Sequence, residues 1–140
     1  MRIGLLGFGT VGKGVYEIVA GREDMHVVKV LCRRDLELGD ASVTHDFQDI
    51  LKDPTIDTVV EAIGGLHPAY DYVREAILAG KNVATANKAL IATCYDELVP
   101  LARERESICA APPPWAAASA GFPSWSGPGA LRAFTMWAAL

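Results

Sequence analysis

Ile3-Gly4-Leu5-Leu6-Gly7-Phe8-Gly9-Thr10-Val11-Gly12 decides the fold. It reads as a short buried strand running into GxGxxG, with Gly7, Gly9 and Gly12 in the three glycine places. Val11, Val15, Ile18 and Val19 follow at helical spacing, so the unit is strand, tight turn and helix. Each glycine has a separate task. The first turns the chain sharply, the second lets backbone N–H groups approach a pyrophosphate, and the third lets the helix pack closely on the strand. The helix N-terminus then faces the anion with its partial positive charge. Dinucleotide binding is the reading this placement favours; a glycine-rich turn without a ligand is the alternative.

Downstream, the first helix is expected from about Thr10 to Ala20, stopping at Gly21, with a second strand over His26–Cys32. An acidic residue near the end of that strand would serve a ribose 2′-OH, but Arg33-Arg34 comes before Asp35. Two guanidiniums suit a 2′-phosphate, so NADP(H) is expected, with NAD the alternative because Asp35 is close enough to serve a 2′-OH.

Asp46 is expected to cap a short helix carrying Phe47, Ile50 and Leu51, with Asp49 favourable in its first turn. Thr58–Ile63 reads as the next strand, with Gly64-Gly65 at its C-terminal end, where ligands sit in open α/β sheets. Glu61 interrupts this apolar run and therefore either pairs inside the fold or marks the cofactor side. Pro68 opens a helix that closes at Gly80, with His67 read as a helix-start residue. Asn82–Thr85 is a fourth strand, and Ala86–Ala92 turns from its end into a helix. A further helix is expected between about Tyr95 and Glu106, capped by Asp96 so that Pro100 falls in its first turn. Ser107–Ala110 begins a fifth strand. Five short strands separated by helices argue for an α/β fold with a parallel, doubly wound sheet.

Composition narrows the function. At 140 residues the chain is long enough for one domain, but short for a cofactor domain and a substrate domain together. A net charge of −4 offers no basic face for nucleic acid, and no apolar run reaches membrane-span length. The chain opens on a strand with no signal-peptide pattern, so a soluble, cytoplasmic protein is expected. Cys32, Cys94 and Cys109 form no CxxC pair, so neither a disulfide framework nor a metal site is expected.

GFGTVGKGV, followed by VVEAIGGLHPAYDYVREAILAGKNVATANKALIA, resembles the cofactor domain of homoserine dehydrogenase, over roughly residues 1 to 110. EAIGG, then a helix, GK, a strand and TANKALIA carries the likeness; sugar dehydrogenases of related fold would show Glu-Lys-Pro where this chain has Ala86-Asn87-Lys88. The resemblance implies a Rossmann-type domain over 1–111. It also implies NAD(P)-dependent interconversion of L-homoserine, the small-molecule substrate, and L-aspartate 4-semialdehyde, on the way to threonine and methionine, by a homo-oligomer in the full-length family. It implies that Gly7, Phe8, Gly9, Thr10, Val11 and Gly12 hold the pyrophosphate, and that Ala62, Ile63 and Gly64 line the wall beside the adenosine and nicotinamide ribose. Thr85, Ala86, Asn87 and Lys88 would lie beside the nicotinamide. Lys88 is the catalytic candidate, since an ammonium there can hydrogen-bond the ribose and the reacting oxygen; an exposed helix-start lysine is the alternative.

The resemblance stops after Ala111. The family continues through Glu-Ala-Ala or Glu-Ala-Ser and a VxGG-type turn into a substrate domain with further catalytic lysine and carboxylate. Residues 112–140 instead hold all three tryptophans, five of the eight prolines and a single charged side chain, Arg132. They are expected to form an irregular or disordered tail and no domain, leaving the doubly wound sheet incomplete. The codons of Pro114-Trp115-Ala116-Ala117-Ala118-Ser119, regrouped from each third position, allow Val-Gly-Gly-Gly-Ile, the kind of glycine-rich turn the family has here. An out-of-frame translation is the hypothesis this supports, with a chance match in a GC-rich gene the alternative. Two functions are open: a homoserine dehydrogenase cofactor domain, inactive alone, or a non-catalytic dinucleotide-binding module or inert fragment.

Overall fold

The computed structural model describes residues 1–107 and 109–110. Its elements alternate: β1 (Arg2–Leu6), α1 (Thr10–Ala20), β2 (His26–Leu31), β3 (Ser42–Thr44), α2 (Gln48–Leu51), β4 (Thr58–Glu61), α3 (Ala69–Leu78), β5 (Asn82–Thr85), α4 (Lys88–Glu104) and β6 (Cys109–Ala110). The strands form one sheet in the order β3-β2-β1-β4-β5-β6, every pair parallel. The order reverses between β1 and β4, which makes their C-terminal ends the switch point of a doubly wound sheet.

Alternation along each strand divides the core. Leu6, Val59 and Val83 join α2, α3 and α4 on one face, while Leu5, Val60 and Ala84 join Val15 and Val19 of α1 on the other. Both faces of the central strands are covered, which is why they read as apolar runs without a polar side. Gly4 lies in this core because a Cβ there would come within 2.5 Å of Ile50.

Among the described residues the sheet has six strands, one more than the sequence pattern predicts. Ser42-Val43-Thr44 pairs with Lys29, Val30 and Leu31, and three residues are too few to show an alternation. Strand ends also move inward: β2 stops at Leu31, β4 at Glu61, and Ser107 lies outside β6. Pro68 occupies the N-cap position of α3 rather than its first turn. Asp46 does cap α2 with its side chain, accepting the Gln48 N–H at 2.9 Å, although Phe47 stands between.

The clearest departure is α4. A turn followed by a separate helix is expected, but one helix of 17 residues runs from Lys88 with Pro100 inside it and Asp96 in its middle. Asn87 is the cap, its side-chain oxygen accepting the Leu90 N–H at 3.1 Å. An interior proline costs about 3 kcal/mol. Buried Leu90, Leu98 and Ala102 lie on one stripe against the sheet and α3, and that continuous packing offsets the lost bond. The tail beginning at Pro112 lies outside the described residues.

Candidate functional site

The glycine turn sits at the switch point, and each glycine has a distinct surrounding. Gly7 has φ +92° and its N–H donates to the Leu31 carbonyl at 2.8 Å. A Cβ on it would lie 2.9 Å from the Ala62 carbonyl oxygen, so the β1 turn is pressed directly on the end of β4. A Cβ on Gly12 would meet the Gly7 oxygen at 2.1 Å, which is the close approach of helix to strand that only glycine allows. Around Gly9 a Cβ would meet nothing within 4 Å. Its face opens outward, where an anion would lie.

Gly9 is also the N-cap of α1, with no side-chain cap and no acidic residue in the first turn. The first-turn N–H groups are therefore left to solvent or to an anion. Thr10 and Val11 are exposed on this turn, and Phe8 packs edge-on against Tyr16 with ring centroids 5.7 Å apart.

Arg33 and Arg34 are exposed just beyond β2. Arg34 reaches the turn, its Nη2 donating to the Phe8 carbonyl at 3.3 Å. Asp35 is engaged by a residue the sequence reading passed over: His45 Nε2 lies 3.0 Å from Asp35 Oδ1, and its Nδ1 lies 2.7 Å from the Cys32 carbonyl oxygen. The Cys32 carbonyl first, and the Asp35 carboxylate second, raise the His45 pKa above its ordinary value. No local spacing joins His45 to Cys32; β3 brings them together by pairing with β2.

Across the switch point, Ala62 donates its N–H to the Leu6 carbonyl at 2.8 Å, while Ile63 and Gly64 are exposed beyond it. Gly64 and Gly65 have φ of +79° and +73°. Glu61 is wholly buried beneath this turn and accepts the Thr85 hydroxyl at 2.5 Å, so it pairs inside the fold. Thr85 is buried, Ala86 donates its N–H to the Glu61 carbonyl at 3.1 Å, and Asn87 is buried at the head of α4. Lys88 is exposed in the first position of that helix. The structure thus brings Gly7–Gly12, Ala62–Gly64 and Thr85–Lys88 to the C-terminal ends of three adjacent strands. Arg33 and Arg34 lie at the end of the fourth.

A glycine turn at the switch point of a doubly wound parallel sheet, with an uncapped helix behind it, defines the class of Rossmann-type dinucleotide-binding domains. Residues 7–112 match the family model of the homoserine dehydrogenase NAD binding domain, and the chain belongs to that family. It is 38% identical over 123 residues to the homoserine dehydrogenase of Bacillus subtilis, covering 78% of this chain and 28% of that protein. Against the homoserine dehydrogenase of Methylobacillus glycogenes it is 40% identical over 122 residues, with 76% and 29% covered. The crystal structure of S. aureus homoserine dehydrogenase at pH 7.0 superposes with a TM-score of 0.72 at 33% identity, over 79% of this chain and 32% of that one. The chain therefore spans less than a third of each of these relatives.

Proposed function

We propose that this chain is the cofactor-binding part of an enzyme interconverting L-homoserine and L-aspartate 4-semialdehyde, and that its dinucleotide is NADP(H). The observation that carries the reading is the glycine turn at the switch point, with Gly9 open toward the first-turn N–H groups of α1. Gly7, Phe8, Gly9, Thr10, Val11 and Gly12 bind the pyrophosphate. Ala62, Ile63 and Gly64 form the wall beside the riboses, and Thr85, Ala86, Asn87 and Lys88 lie beside the nicotinamide. Arg33 and Arg34 take the 2′-phosphate, supported by the engagement of Asp35 with His45, which competes with a ribose hydroxyl for that carboxylate. The cofactor supplies or accepts the hydride. Lys88 places a positive charge where the substrate oxygen gains negative character.

Binding and turnover separate in this chain. One domain can hold a cofactor, but hydride transfer needs the second substrate at near-attack distance. Residues 112–140 contain no Asp, Glu, Lys or His side chain to hold a substrate ammonium or move the hydroxyl proton. Titration of the 140-residue chain with NADPH and NADH, beside a turnover assay with L-homoserine, tests the reading. Binding with NADPH preferred and no turnover is the expected result. Absence of binding to either dinucleotide overturns it, and turnover by this chain alone overturns the separation.

A further inference from the structure

Glu61 is an expensive residue to place where it stands. Its side chain is fully buried at the end of a strand whose preceding residues are Val59 and Val60. A buried charged group contributes little net stability compared with an apolar side chain of the same size, and it must be fully hydrogen-bonded to be tolerated. Its partners are telling. Oε1 accepts the backbone N–H groups of Ile63 at 2.7 Å and Gly64 at 3.0 Å, and Oε2 accepts the Thr85 hydroxyl at 2.5 Å.

The bonds continue outward. Thr85 Oγ1 accepts the Asn87 N–H at 3.0 Å, and the Asn87 side chain both caps α4 through the Leu90 N–H and donates from Nδ2 to the Gly65 carbonyl. One connected network therefore ties the exposed 62–65 turn to the Thr85–Lys88 segment. Both segments need such a tie: the turn contains two successive glycines in the left-handed region, and Ile63, Gly64 and Gly65 are all exposed.

We infer that Glu61 is a positioning residue. From beneath, it holds the two walls of the nicotinamide half of the crevice at a fixed separation, without touching cofactor or substrate. This rests on the dinucleotide reading above. The adenosine half shares the Ala62–Gly64 wall only at its ribose; its phosphates meet the glycine turn and the end of β2, which have no bond to Glu61 among those described. The network should therefore matter much more for the nicotinamide half of the ligand than for the adenosine half, whereas a general loss of fold would weaken both.

The test compares the 140-residue chain with Glu61→Leu, Glu61→Gln and Thr85→Val. Each is titrated with NADPH or NADH, whichever the wild type binds more tightly, and with the matching adenosine half, adenosine 2′,5′-bisphosphate or ADP. Glu61→Leu is expected to weaken the whole dinucleotide about tenfold or more, because the walls must then be ordered on binding, and to leave the adenosine half within about twofold. Glu61→Gln keeps an acceptor for the two N–H groups and should recover most of the loss. Amide exchange gives a ligand-free readout: Ile63 and Gly64 should exchange much faster in Glu61→Leu, while Ala62, bonded to Leu6, stays protected. If Glu61→Leu fails to fold, Thr85→Val, which keeps side-chain volume but removes the hydroxyl, must show the same split between the two probes. Equal losses for both probes, or unchanged exchange at Ile63 and Gly64, overturns the inference. A wild type that binds no probe overturns the dinucleotide reading instead, and exchange then still decides whether Glu61 holds the turn.

Discussion

The two ends of the sheet are built on opposite plans. At the N-terminal ends of the strands, charged side chains close off the backbone. Arg2 donates its backbone N–H to Asp57 and its Nε to the Thr55 carbonyl. Lys29 bonds Asp53 at 2.6 Å, and buried Lys81 donates to the Asp53 and Ile56 carbonyls at 2.9 and 2.7 Å. Burial pushes the Lys81 ammonium below its ordinary pKa, with Asp53 and Asp57 pulling the other way. At the C-terminal ends there are glycines, an uncapped helix and exposed turns, with a buried carboxylate beneath them. The first end is finished by the chain's own groups; the second leaves donors facing outward. Stability and binding can therefore be perturbed separately, and the substitutions that do so most strongly should lie a few residues apart in one motif.

Gly9 and Gly12 make that contrast sharpest. A side chain at Gly12 collides with the Gly7 backbone at 2.1 Å, so Gly12→Val should prevent folding, read as loss of the cooperative melt. A Cβ at Gly9 meets nothing within 4 Å, so Gly9→Val should keep the wild-type melting temperature while occupying the place proposed for the pyrophosphate. Losing two charge-assisted bonds at about 1.5–3 kcal/mol each corresponds to roughly a hundredfold or greater loss of dinucleotide affinity. A folded Gly9→Val protein with unchanged affinity would remove the site from this turn.

Lys88 sharpens the comparison at the catalytic level. The assay requires a protein in which homoserine dehydrogenase sequence follows residue 111, either from a corrected reading frame, should the coding DNA contain one, or by fusion to a relative's substrate domain. There Lys88→Ala should lower turnover by about a hundredfold, the usual size of a lost oxyanion-stabilising donor. Full activity would return Lys88 to the role of an exposed helix-start residue.

How much of this was readable beforehand follows from what is local. β1, α1 and β5 each announce themselves within a dozen residues by an apolar run, a 3.6-residue period or a glycine stop; the bounds of α1 and β5 match, and β1 starts one residue earlier, at Arg2. β3 is too short to carry a period. The sequence pattern divides α4 because Pro100 is a breaker by propensity, while the stripe of Leu90, Leu98 and Ala102 that overrides it belongs to tertiary packing. Within the site, the glycine places are visible because their cause is backbone geometry. The Glu61 partners are not, because Thr85 is 24 residues away and becomes its neighbour only when β4 and β5 align Glu61 with Thr85. Two four-residue strands joined by one helix, each ending in a polar residue, were the available signal. His45 and Asp35 give no such signal, since their meeting depends on β3.

The arginines test the adenosine side. Replacing both Arg33 and Arg34 with Ala should weaken NADPH about tenfold more than NADH, from charge-assisted contacts of about 1.5–3 kcal/mol each, reduced by their exposure. Equal losses would make them solvated charge. The melting temperature should move little, because the Arg34 bond to the Phe8 carbonyl at 3.3 Å is exposed to solvent.

The smallest effect belongs to the opposite end. The Lys29 ammonium first, then the Thr55 hydroxyl and N–H, hold the Asp53 carboxyl well below its ordinary value of 3.8. A carboxylate depressed in the folded state contributes stability that is present above its unfolded pKa and lost as pH falls toward the folded value. Lys29 and Asp53 are 26% and 14% exposed at the side chain, so the pair is only partly screened. Asp53→Asn, which keeps the shape and loses the charge, should lower the melting temperature at pH 7 by about 4–8 °C, the equivalent of about 1 kcal/mol in a domain of this size. That gap should narrow progressively below about pH 4, where the carboxyl of the unfolded wild type takes up its proton first, and should close as the pH approaches the lower folded value. Dinucleotide affinity at pH 7 should be unchanged, because Asp53 acts at the closed end of the sheet. A gap that persists undiminished at pH 2 would show that shape rather than charge sets the tie, and a fall in affinity would show that the two ends are coupled through the strands.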